Sequence, residues 1–137
     1  MSIEEENKEI IRRWIEGLNE QTINDELLSK DYVYHVGGQE VKGAQTFKQS
    51  ADATFFPVFP DVNYATDDMV AEGDKVAIRY IMTATHKGEF MGIAPTGKRI
   101  TLTGAIFYHL ADGKIMEALQ YFDQLSMMQQ LGAIPSQ

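Results

Sequence analysis

The side chains best suited to acid–base chemistry are one aspartate and three histidines. Asp123 closes the run Gly104-Ala-Ile-Phe-Tyr-His-Leu-Ala-Asp-Gly-Lys-Ile-Met-Glu-Ala-Leu-Gln-Tyr-Phe-Asp123, in which two strand-like segments flank an Asp112-Gly113 turn. An acid where a strand gives way to a helix has two natural roles. As an N-cap it accepts backbone N–H groups, which favours its charged form and makes it a poor base. Buried among residues such as Leu119, Tyr121 and Phe90, its charge would be disfavoured, and it would become basic enough to take a proton from carbon. On residue pattern alone the cap comes first, because caps are common and catalytic acids rare.

The neighbours of Asp123 depend on the hairpin register. A two-residue loop, the type I′ turn that Asp-Gly favours, pairs Leu110 with Ile115 and Ile106 with Leu119. It places Tyr108, Ile106 and Leu102 on the face of Asp123. A three-residue loop with a Gly113 bulge shifts the pairing by one and substitutes His109, Phe107 and Thr103. The apolar match favours the first register, and both remain open.

His86 ends a clean alternation in which Val76, Ile78, Tyr80, Met82, Ala84 and His86 share one strand face, while Lys75, Arg79, Thr83 and Thr85 share the other. It is either a strand-end histidine satisfied by its surroundings or a polar group lining a pocket. His35, His86 and His109 are far apart, without helical histidine spacing or a matching carboxylate set, so a metal site is not expected. No glycine-rich phosphate loop is present. Trp14, Phe47, Phe55 and Phe59 read first as core, with ligand contact second.

The elements that must position these residues follow from periodicity. Ile10, Ile11, Trp14, Ile15 and Leu18 recur at helical spacing, predicting a helix over 2–20 with acids in its first turns. A second short helix is expected near Asn24–Leu28, and a strand over Tyr32–Val36. Another helix is expected from Ala44 to Phe56, stopped by Phe56-Pro-Val-Phe-Pro-Asp61 because each proline disfavours helix in the residue before it. Strands are expected over 62–71, 75–86, 99–111 and 114–122, then a last helix from Asp123 to Leu131 with Gly132 beyond it. Helices first and a meander after predict one α+β domain over residues 1–137, its helices on one face of an antiparallel sheet.

With 137 residues, 44% hydrophobic and 23% charged, the chain is of ordinary globular composition. A formal charge of −8 argues against nucleic acid and anionic membrane surfaces. The absence of cysteine excludes disulfides and thiolate chemistry. The acidic start is unlike a secretory signal and no apolar run approaches a membrane span, so a cytoplasmic location is expected.

Four stretches resemble one family. They are Asp31-Tyr-Val-Tyr-His35; Phe59-Pro-Asp61 leading to Ala71-Glu-Gly-Asp-Lys-Val76; Thr85-His-Lys-Gly-Glu-Phe-Met-Gly-Ile-Ala-Pro-Thr-Gly-Lys98; and Asp112-Gly-Lys-Ile-Met-Glu117 through Asp123 to Gln129-Gln-Leu-Gly132. Together they resemble the SnoaL-like polyketide cyclases, or ester cyclases, of the nuclear-transport-factor-2-like superfamily. The resemblance implies a cone-shaped curved antiparallel sheet, a cystatin-like α+β roll with the N-terminal helices on its concave face. It also implies a hydrophobic pocket and cofactor-independent intramolecular aldol chemistry on a polyketide-like carbonyl compound. It places the general acid/base at Asp123, puts His109 near it as donor to the developing oxyanion, and sets His35 and His86 at the pocket mouth. Trp14, Phe59, Phe90, Leu119 and Tyr121 would complete the walls. Many relatives carry Trp where this chain has Leu119. The alternatives are a non-catalytic small-molecule binder, an isomerase or hydrolase of the same superfamily, or an interaction domain. A homodimer is expected, its outer face formed in one register by Phe107, Met116, Ala118 and Phe122.

Overall fold

A computed structural model of the chain describes residues 1–134. Its first helix, α1 (Ile3–Asn19), begins where the Ser2 hydroxyl accepts the Glu5 N–H, with Glu4, Glu5 and Glu6 in the first turn. Charge and dipole agree there. The stripe Ile11, Trp14, Ile15 and Leu18 is buried against the sheet. Both ends of α1 are tied down by polar side chains. Near its start Glu4 accepts the Gly73 N–H at 2.8 Å. At its end Asn19 accepts the Tyr64 N–H at 2.6 Å and donates to the Tyr64 carbonyl at 2.9 Å. The helix is thereby fixed across β3 (Asn63–Glu72), with Trp14 held over the sheet's inner face.

A single six-stranded sheet forms, of order β2-β1-β6-β5-β4-β3. After a 3₁₀ turn at Asp25–Leu27 come β1 (Leu28–Val36) and β2 (Gln39–Lys42); β4 (Lys75–Thr85), β5 (Arg99–Ala111) and β6 (Lys114–Phe122) complete the sheet. The α+β class and the four long strands agree with expectation. Two features differ. β1 lies parallel to β6, so the sheet is mixed rather than wholly antiparallel. The edge strand β2 is too short and polar to announce itself, and turns back on β1 through Gly37-Gly38, both at positive φ.

Pro57 does not stop the second helical segment. The chain runs as α2 (Ala44–Ser50), a π-helical turn (Ala51–Phe55) and α3 (Phe56–Val58) without a break. The Phe56 N–H reaches back to the Ala51 carbonyl, five residues away, so the helix widens just before the proline. The segment ends at Phe59, ahead of Pro60. Phe55, Phe56 and Phe59 are thereby grouped, with ring centroids of 5.7 Å between Phe55 and Phe56 and 5.5 Å between Phe55 and Phe59.

The last hairpin uses both registers. At its tip Leu110 pairs with Ile115 and Ala111 with Lys114, the two-residue loop. Met116 is then an extra residue on β6, and from His109–Glu117 onward the pairing follows the shifted register: Tyr108 with Ala118, Ile106 with Gln120, Gly104 with Phe122. This β-bulge decides every face downstream. Ala118 is buried and Phe122 lies on the inner face beside Gly104, so neither joins Phe107 on an outer surface. The exposed outer apolar residues of the strands are instead Val70, Ile81, Phe107 and Tyr121, the last two with ring centroids 6.2 Å apart. The closing helix α4 (Gln124–Gln130) buries Met127 and is followed by the buried Leu131.

Candidate active site on the inner face

Five of the six tyrosines share the inner face of the sheet: Tyr32 and Tyr34 on β1, Tyr64 on β3, Tyr80 on β4 and Tyr108 on β5. Strand alternation puts each of them there, and the helices cover them. The Phe47 ring lies 5.2 Å from Tyr32 and 5.1 Å from Tyr34, edge-on to both, while Trp14 stacks obliquely on Tyr32 and Phe47. Tyr64 and Tyr80 meet edge to face at 5.2 Å.

Burial pushes all five phenols well above their ordinary range, since loss of hydration disfavours phenolate. Tyr34 adds to the effect in Tyr32, Tyr64, Tyr80 and Tyr108. The cluster is therefore a set of protonated hydroxyls, able to donate as well as accept. Tyr108 is the extreme case. It is buried, and although the Trp14 indole N–H is directed at it, the hydroxyl closes no hydrogen bond among the described residues. Tyr80 lies flat across Gly104. A Cβ on that glycine would stand 2.5 Å from the Tyr80 hydroxyl oxygen and 2.7 Å from the Tyr121 carbonyl oxygen.

Gln120 adds an amide to the same face, opposite Ile106 and beside Val36 of β1. Among the described residues the inner face of the strands carries no carboxylate; the acids of β3, Asp67, Asp68 and Glu72, are exposed. No three His, Asp or Glu side chains of the described residues converge on a metal-sized site. Tyr34, Phe47, Phe55, Phe90 and Phe122 are only half-buried, so the face keeps an aromatic rim open to solvent. Two surface clefts, of about 460 and 520 Å³, lie elsewhere, beside the 3₁₀ turn and the end of α1.

The residues singled out from the sequence are distributed differently from expectation. Asp123 is exposed and accepts the Ser126 N–H at 2.9 Å, as the N-cap of α4. Its own N–H bonds the Thr103 carbonyl at 3.3 Å, so it continues the outward-facing row of β6 that contains Tyr121. His109 is on the outer face too, bonded to Asp74 at 2.8 Å. It sits six residues along β5 from Thr103, about 20 Å at the rise of a strand. The structure thus keeps the expected Asp123–His109 pair apart. The shifted register does put Thr103, Phe107 and His109 on the face of Asp123, but that face is the outer one.

His35 also points outward, between Glu117 at 2.8 Å and Glu40 at 3.5 Å. Leu119 pairs with Phe107 on the outer face, and Tyr121 is 61% exposed. Both were expected as pocket walls, and the bulge at Met116 turns them away. Trp14, Phe59 and His86 do face inward and are buried, and Phe90 packs on Phe59 at 5.2 Å. Missed from the sequence were the convergence of Tyr34, Tyr64, Tyr80 and Tyr108 and the inward turn of Gln120. Alternation on β4 signals Tyr80; nothing local signals the others' meeting.

The sequence profile of the SnoaL-like polyketide cyclases matches residues 8–131, nearly all of this arrangement. The chain belongs to that family. Among solved structures, AclR of Streptomyces galilaeus, a proposed hydroxylase, superposes with a TM-score of 0.85 at 29% identity, over 97% of this chain and 85% of its own. IdmH of Streptomyces antibioticus, a proposed polyketide cyclase, gives 0.76 at 28% identity, over 92% and 98%. A proposed polyketide cyclase from Acidithiobacillus ferrooxidans gives 0.74 at 29%, over 97% and 99%. No curated protein sequence matches the chain. The SnoaL-like fold explains the curled sheet and its overlying helices. No helix among the described residues is long and apolar enough to cross a membrane.

Proposed function

We propose that this SnoaL-like protein is a cyclase-type enzyme acting on a small, hydrophobic, polyketide-like carbonyl compound bound against the inner face of its sheet. The observation that carries the reading is the gathering of the buried tyrosines Tyr32, Tyr64, Tyr80 and Tyr108, with half-buried Tyr34 beside them, on the apolar inner face, where burial keeps their phenols protonated. A methylene between two carbonyls is acidic enough to pass its proton to water at the open rim, and the alkoxide formed on ring closure takes one back from that water before the ring dehydrates. What the protein must then supply is a stabilised enolate oxygen. Preorganised hydroxyl donors in a water-poor site do that without reorganising. Tyr34, Tyr80 and Tyr108 are the donors proposed, with the Gln120 amide orienting a further oxygen. Such chemistry requires neither metal nor organic cofactor.

Asp123 as general acid/base is the finer form of this reading and rests on the family resemblance; its exposed, capping position gives it no added support. The decisive experiment is incubation with a poly-β-ketone surrogate, with mass spectrometric detection of the dehydrated ring product. Tyr80→Phe and Tyr108→Phe are expected to lower kcat/KM by about 10- to 100-fold each, the range for loss of one oxyanion donor or slightly less. Unchanged turnover in both variants sinks the phenol assignment.

That the inner face carries no carboxylate among the described residues favours one second reading, a non-catalytic binder of the same compounds. In that case ligand co-purifies or binds, Asp123→Asn leaves affinity unchanged, and no product forms at any enzyme concentration.

A further inference from the structure

His86 is fully buried at the end of β4, and its two ring nitrogens have opposite circumstances. Nδ1 accepts the Thr96 backbone N–H at 3.1 Å and lies 3.0 Å from the Thr96 hydroxyl. A backbone N–H can only donate, so Nδ1 must present its lone pair, and the uncharged ring carries its hydrogen on Nε2. The backbone holds this geometry firmly. The His86 N–H bonds the Lys98 carbonyl, the Gly97 N–H bonds the His86 carbonyl, and the Lys87 N–H bonds the Val58 carbonyl, all within 2.9 Å.

Nε2, by contrast, is buried with no hydrogen-bond partner among the described residues. Proteins seldom leave such a donor empty, because an unmade buried hydrogen bond is costly. The ring leans on Phe59 at 6.1 Å, and Phe59 is backed by Phe55 and Phe90. A buried water needs two to four polar partners, and the aromatic ring packed on His86 among the described residues, Phe59, offers none. A ligand that brings its own oxygen on an apolar body has no such requirement.

We infer that His86 Nε2–H is a second, recessed anchor for a ligand carbonyl oxygen, with Phe59 and Phe90 holding the flat apolar group that carries it. This rests on the proposed use of the inner face as a binding site. It adds to the phenol cluster a fixed-tautomer donor at the far, phenylalanine-lined end. The substrate class is thereby narrowed to compounds with a ketone or ester oxygen on an aromatic or planar unit, besides the oxygen that meets the tyrosines.

The test uses the full chain labelled with ¹⁵N-histidine at pH 8, and two probes of matched shape, 2-acetylnaphthalene and 2-ethylnaphthalene. The ketone is expected to shift the His86 Nε2 resonance and to bind about tenfold more tightly than the hydrocarbon, the worth of one hydrogen bond to a buried donor. His86→Gln, which keeps an N–H at similar reach, should retain the preference, and His86→Phe should abolish it. If His86→Phe does not fold, the wild-type resonance decides alone. Equal binding of the two probes, or a ketone complex with unmoved His86 signals, overturns the inference. Should the ketone preference vanish in Tyr80→Phe or Tyr108→Phe but persist in His86→Phe, the inner-face function stands and the His86 anchor falls. If neither probe binds at millimolar concentration, both fall.

Discussion

Replacing Asp123 with alanine and with asparagine separates its structural role from a chemical one. The carboxylate accepts one backbone N–H, that of Ser126, at the start of a seven-residue helix. That helix keeps Met127 and, just beyond it, Leu131 in the core, each no more than 3% exposed. Alanine removes the acceptor, at a cost of about 1 kcal/mol for a lost cap. In a chain of this length the same loss lowers Tm by about 3–5 °C. Asparagine keeps an oxygen in place and ranks with aspartate as an N-cap, so its stability should lie within a few tenths of a kcal/mol of wild type. Urea unfolding followed by the fluorescence of Trp14, the chain's single tryptophan, measures both variants. Amide exchange in α4 should quicken in the alanine variant alone. If alanine is as stable as wild type, the cap contributes nothing and the reasoning from the Ser126 bond is wrong. Turnover supplies the second axis. Asparagine that folds normally but is catalytically dead would make Asp123 the acid/base despite its exposure, whereas an active asparagine variant leaves it as a cap.

Other perturbations follow from individual contacts. Gly104→Ala drives a methyl into the Tyr80 ring and the Tyr121 carbonyl, so it should cost about 3 kcal/mol, the upper end of ordinary overpacking, seen as a lower urea midpoint. Tyr108→Phe removes a buried hydroxyl that closes no hydrogen bond among the described residues; thermal unfolding should show a gain of about 1 kcal/mol alongside the expected loss of turnover. Asp61 accepts from the Thr85 hydroxyl and N–H, which with Arg99 hold its carboxyl below the ordinary range. Its contribution is therefore present above the unfolded carboxylate pKa and lost as pH falls through the lowered folded value, and Asp61→Asn should flatten that acid limb in pH-dependent melting. Phe107 and Tyr121 form an exposed aromatic pair, so a homodimer built on this face should shift to monomer in sedimentation when Phe107→Glu is introduced.

Long periodic segments were legible in the chain because a single face decides them. The stripe Ile11, Trp14, Ile15, Leu18 and the alternation Val76 to His86 lie where their periods place them. Less legible were features that depend on partners far away. The tyrosine cluster gathers residues from β1, β3, β4 and β5, and no local window contains more than two of them. The strand β2 shows little because an exposed polar edge carries no apolar pattern. Pro57 misled because a rule for the residue before proline gives way when a π turn adjusts the pitch ahead of it. The candidate acid and its histidine were placed by resemblance and by counting; alternation along β5 sets His109 on the outer face, opposite to its buried neighbours Tyr108 and Leu110, and the one-residue bulge in β6 brings Asp123 to that same face.

That bulge has a consequence for how relatives are compared. Because Met116 is the unpaired residue between Ile115 and Glu117, its deletion would leave Glu117 opposite His109 and every later pair intact. The hairpin can therefore lose that residue with no change in which side chains face inward. Two members of the family that differ here by a single codon would still share one inner surface. Positions counted forward from the Asp112-Gly113 turn and positions counted backward from α4 would then disagree by one, and it is the helix-side count that keeps Gln120 and Phe122 in the frame of the inner face.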